Sequence, residues 1–254
     1  MKVQKDPFGD ARLKLARAQE HTAELNTLIR NYFSSKPWTT FVQPKRNGPG
    51  YVHKARFGEG FDPRIKILAA DTFADLRAAL DMTAATCARL NGLAIRKIIH
   101  FPFLSDPLQW STYTKSRCPR VPDPVIDYFL TLRPYPGGDG LLYGLNGARV
   151  DSEHWAFIET VIAIMGMQVI WPDWRSEMLQ CPSFTVGDVD EVELFTTPDF
   201  TTNYKLDVIL GIRFEGISAF GGSTPEYILT ELASRVSKII SGTEDVMHKI
   251  GLLH

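Results

Sequence analysis

The run from Pro63 to Leu90 constrains the fold more than any other part of this 254-residue chain. Its apolar residues recur at helical spacing, and Asn91-Gly92 supplies a C-terminal stop. At ~100° per residue, Phe73, Leu76, Leu80, Ala84 and Cys87 form one stripe. Ala78, Met82 and Ala85 then occupy the opposite side, where a surface helix would carry charge. A helix with two apolar faces is either central in a bundle or buried between subunits, and central burial is the simpler arrangement. Arg77 and Asp81 stand on the flank of the core stripe. Their i,i+4 spacing brings the side chains together, and a partly buried Arg needs such a carboxylate to offset its desolvation.

The other segments arrange themselves around this helix. Residues 10–34 place Leu15, Ala18, Thr22, Leu25, Ile29 and Tyr32 on one face of a long amphipathic helix, which Pro37 ends. The stretch 39–58 reads as two short strands around Asn47-Gly48. Lys45, Arg46, Lys54 and Arg56 make it the one local basic cluster and the candidate nucleic-acid contact, although such hairpin tips are more often simply solvated. "IIHFPF" reads as a buried extended segment. Two short helices follow, each with Pro near its start. The glycine-rich run after Arg133 is expected to be a turn-rich connection into a helix from about Ser152, with Asp151 or Ser152 as N-cap. Beyond Trp171 the pattern alternates, which predicts two or three antiparallel strands. A closing helix follows, capped by Ser223 or Thr224 with Pro225 in its first turn. The expected fold is α+β. A helical part spans 1–170 with the hairpin at 39–58, and a small sheet with its C-terminal helix spans 171–254, the two packed as one unit.

Composition narrows the function classes. An apolar content of 44% and a net charge of -1 fit a soluble globular protein and give no whole-chain attraction to polyanions, so any such site must be local. Cys87, Cys118 and Cys181 are odd in number and far apart, which argues against a disulfide framework and for a reducing cytoplasm. The start has no apolar leader, and the longest apolar run is interrupted by Glu159, so neither secretion nor a membrane anchor is expected.

Familiar catalytic signatures are missing from the sequence. Asp151 and His154 could share a metal, but no third and fourth ligand stand at a supporting spacing, and no metal or other cofactor is expected. "PGGDG" at 136–140 lacks the Lys-Ser/Thr of a phosphate loop, and there is no nucleophile elbow.

Four short pieces, "LRAALDM" at 76–82, "FPF" at 101–103, "RPY" at 133–135 and "VDSEHW" at 150–155, follow one another in an order that resembles an uncharacterised bacterial family with LRxALDH, FPI, QPY and DKHR-like motifs. The Arg-x4-His of that family in turn resembles the signature of HEPN domains, helical proteins many of which are metal-independent ribonucleases acting as dimers. The resemblance implies a phosphate-stabilising role for Arg77 and an orienting role for Asp81. Met82 stands where the family has its histidine, and Met cannot transfer a proton. His154, matching the histidine of the last motif, is then the candidate acid or base, and the Arg77–Asp81 pair is expected to pin the central helix to the 151–155 segment. Two functional readings follow. One is a cytoplasmic HEPN-like protein acting on RNA, with ribonuclease chemistry carried by Arg77, Asp81 and His154 in bacterial or phage defence. The other is a non-catalytic binding or scaffold module that uses the Met82 face for a second copy or a protein partner.

Overall fold

A computed structural model describes residues 6–58, 62–94, 99–154, 160–171, 176–179, 191–200, 204–214 and 216–253. The long helix predicted at the start is α1 (Gly9–Ser34), and the hairpin that follows is β1 (Trp38–Pro44) and β2 (Tyr51–Phe57). The central helix is α2 (Arg64–Leu90), ended at Gly92, whose φ of 82° a side chain would resist. A 3-10 turn leads to α3 (Trp110–Arg117), then come α4 (Asp123–Thr131) and α5 (Gly140–His154). Strands β3 (Thr160–Ile170), β4 (Ser176–Leu179), β5 (Glu191–Thr197) and β6 (Lys205–Phe214) precede α6 (Pro225–Lys249). The protein is thus α+β, a helical bundle with an early hairpin, late antiparallel strands and a closing helix.

Helix α2 is the core of the bundle, packed by α1, α5 and α6. Its stripe of Phe73, Leu76, Leu80, Ala84 and Cys87 is wholly buried, while Met82 and Ala85 on the other face are partly buried against the same core. Buried threonines let polar residues share this interior. Thr72 donates to the Leu68 carbonyl at 2.7 Å and Thr83 to that of Ala79 at 2.8 Å, so neither hydroxyl is left unmade. Phe73 carries the bundle onto the strands, its ring 5.5 Å from those of both Phe214 and Phe220. Thr224 caps α6 by accepting from the Tyr227 N–H, with Pro225 in the first turn as the sequence predicts.

Two sequence expectations give way. The segment around Ser152 does not start a helix: Asp151 and Ser152 lie in the last turn of α5, which begins at Gly140 with Asp139 Oδ1 accepting from the Leu142 N–H at 3.0 Å. Leu142, Leu145 and Ala148, three apart, seat that helix in the core despite its glycines. The apolar run that follows is the strand β3, not a helix, because its Thr, Val and Ile content favours a strand where periodicity alone cannot decide.

The late strands also divide. β5 pairs antiparallel with β2, extending the hairpin to the order β1-β2-β5, while β6 pairs with β3 in a second sheet of order β4-β3-β6. His53 ties the two together. Only 1% exposed, it stacks on Phe195 at 4.2 Å and meets Thr197 Oγ1 at 3.0 Å and Tyr204 Oη, just before β6, at 2.5 Å.

Burial holds the pKa of His53 below its ordinary 6.5. The folded state therefore keeps this ring neutral where the unfolded chain would protonate it, so its contribution is complete above the unfolded pKa and is lost as pH falls below it. Urea unfolding from pH 7.5 down to 5 should show stability declining for the natural chain and declining less for His53→Gln. Identical slopes would mean that the ring titrates alike in both states.

Candidate functional site

The i,i+4 pair forms as the spacing requires. Arg77 Nη1 donates to Asp81 Oδ1 at 2.5 Å, with the Arg77 side chain 5% exposed and that of Asp81 20%. The Arg77 guanidinium lies over the Phe103 ring at 4.4 Å, so its charge is shared between a carboxylate and an aromatic face. In this position the guanidinium is closed off from solvent.

Asp81 has further partners, and these come from the extended segment after α2. The Phe101 N–H donates to its Oδ1 at 2.7 Å, and His100 Nδ1 approaches its Oδ2 at 3.3 Å. The pair therefore pins α2 to residues 100–103; the side chains of the 151–155 segment, to which the sequence also joins it, lie outside the described residues. Asp81 does so by satisfying a backbone N–H of an irregular segment that has no ladder of its own.

A carboxylate only accepts, so His100 must donate from Nδ1. In the neutral ring that leaves Nε2 as the acceptor, on a side chain 31% exposed. Sequence spacing does not bring His100 to this pair, and it is a candidate histidine that only the fold places here. The available signal was the unfilled capacity of Asp81 next to a buried "IIHFPF" run.

The end of α3 closes over the same place. The His100 N–H donates to the Arg117 carbonyl at 3.3 Å, and the Cys118 thiol donates to the His100 carbonyl at 3.2 Å. Burial, helped by Asp81, pushes the Cys118 thiol up to about 12, so it is a fixed donor and not a nucleophile. Tyr113, half-buried beside them, is likewise raised by burial, with Arg77 opposing. Lys115, Arg117 and Arg120 of this segment are all exposed, and among the described residues none of them carries an ion pair.

The other predicted residues lie elsewhere. Lys54 faces Glu193 at 3.5 Å and Glu191 at 3.9 Å, and Arg56 pairs with Glu191 while its guanidinium sits 5.1 Å from the Phe41 ring. Together with Arg46 these cations hold the Glu191 carboxyl below its usual range, so β5 takes up much of the charge of the hairpin cluster. Lys45 and Arg46 stand at its turn, Arg46 exposed. His154 is the last residue of α5, and its side chain falls outside the described part of the structure, as does Cys181. Among the described residues no three His, Cys, Asp or Glu side chains converge as a metal site would require, and no helix is long and apolar enough to cross a membrane.

No family model, no curated protein and no solved structure matches this chain.

Asp81→Ala should destabilise the fold by about 2–4 kcal/mol, because it leaves the Arg77 charge buried and the Phe101 N–H unmet. Asp81→Asn, which retains an acceptor for that N–H, should lose less. A loss under about 0.5 kcal/mol for Asp81→Ala in urea unfolding would contradict this account.

Proposed function

We propose that the chain is a HEPN-like RNA-acting protein, a metal-independent ribonuclease whose proton-transfer histidine comes from the segment after α2 instead of from α2 itself. The observation that carries this reading is His100, held through Nδ1 by Asp81 on a side chain 31% exposed. It occupies the role that Met82 vacates. A histidine fixed in that tautomer is a competent general base, and the unpaired cations of residues 115–120 are the neighbours a scissile phosphate needs.

On this reading His100 Nε2 takes the proton of a ribose 2′-OH as that oxygen attacks the adjacent phosphorus. Lys115, Arg117 and Arg120 stabilise the charge that builds on the phosphoryl oxygens. Water protonates the departing 5′ oxygen, leaving a 2′,3′-cyclic phosphate. Arg77 is a positioning residue that fixes Asp81 and thereby the imidazole.

Purified protein should then cleave single-stranded RNA in the presence of a metal chelator. His100→Ala should lower the rate by about 10²–10⁴-fold with the fold intact by thermal melting. His154→Ala, the other histidine raised by the motifs, should leave it unchanged. Equal cleavage by the natural chain and His100→Ala would overturn the assignment to His100, and none by either would favour a non-catalytic binding module.

A further inference from the structure

Beside His100 lies a groove of about 600 Å³ between α3 and α4, within the size range of small-ligand sites. Cys118, which donates to the His100 carbonyl, forms part of its lining, and Trp110 is among its apolar residues. Four charged side chains also line it: Lys115 and Arg120, and Asp123 and Asp127 one helical turn apart on α4. All four are exposed, and among the described residues none of them makes an ion pair. Opposite charges that share one groove without pairing leave room for a ligand that is anionic at one end and a hydrogen-bond donor at the other.

The backbone supports a built site. Arg120 has a φ of 65°, a left-handed conformation costly for a residue with a Cβ, and the Asn91 side-chain amide holds its carbonyl at 3.0 Å. This fixes the backbone of Arg120, a residue that lines the groove.

We infer that the groove between α3 and α4 recognises a guanine nucleotide of the RNA, next to the phosphate that His100 addresses, its phosphate meeting Lys115 and Arg120 and its base edge meeting Asp123 and Asp127. The inference rests on the RNA reading above. Carboxylates only accept, so they select bases by their donors, and guanine presents N1–H and N2–H side by side in the spacing that one carboxylate takes with both oxygens. Uracil and hypoxanthine offer a single ring N–H there.

The test uses 2′-O-methyl RNA heptamers of uridine with a central guanine, hypoxanthine or uracil, which cannot be cleaved through the 2′-oxygen. Binding is read by fluorescence anisotropy. The guanine strand should bind on the order of tenfold tighter than the other two. Asp127→Asn, an exposed substitution on α4, should bring all three to the uracil value, and Lys115→Ala with Arg120→Ala should weaken all three alike. Equal affinities for the natural chain, a guanine preference that survives Asp123→Asn with Asp127→Asn, or no binding of any strand would overturn the inference. Cleavage that needs His100 but ignores the base would remove the groove and leave the reaction. Guanine preference without cleavage would remove the reaction and leave the groove.

Discussion

The carboxylate of Asp81 is the interaction on which the rest of the site depends. Its two oxygens meet a guanidinium from its own helix, a backbone N–H and an imidazole from the next segment. Each partner would be a cost without it: Arg77 as a buried cation, the Phe101 N–H as an orphaned donor, and His100 as a ring free to rotate. One side chain at the edge of α2 thus converts helix packing into chemical geometry. The Arg77 guanidinium, pressed on Phe103, stiffens that corner of the fold.

The distribution of charge separates two surfaces that look alike as sequence. On the hairpin, Lys54 and Arg56 face glutamates that β5 brings alongside, and their field is largely cancelled. At the end of α3, Lys115, Arg117 and Arg120 have no such neighbours within pairing distance among the described residues. A chain near neutrality can therefore carry a local positive edge, provided that its acidic residues are placed against other cations. Asp75 shows the same economy, buried against Lys14 at 2.5 Å with Arg17 and His21 close by.

Helices with strong periodicity and caps were legible from the residues: α1, α2 and α6 follow their apolar spacing, and Asn47-Gly48 places the hairpin. The misreadings share a cause. In α5 the glycines imitate a turn, while the helix is specified by three buried residues that only the core reveals. In β3 a largely apolar run has no period to distinguish helix from strand. Within the site, Arg77 and Asp81 were visible because i,i+4 contacts are local. His100 was not, since its meeting with Asp81 depends on how an irregular segment turns back across α2, and nothing in the spacing of 19 residues encodes that.

The order β1-β2-β5 has a bearing on how the protein is made. Strand β2 accepts its outer partner only when residues 191–197 exist, well over a hundred residues after the hairpin has left the ribosome. During that interval the backbone edge of β2 is open, and open edges are templates for pairing with other chains. The hairpin carries its own safeguard, because Lys54 and Arg56 sit on the waiting strand, and like charges discourage two nascent copies from joining there. The same cations then accept Glu191 and Glu193 when the proper strand arrives, so charge that repels strangers during synthesis becomes charge that admits the one intended neighbour.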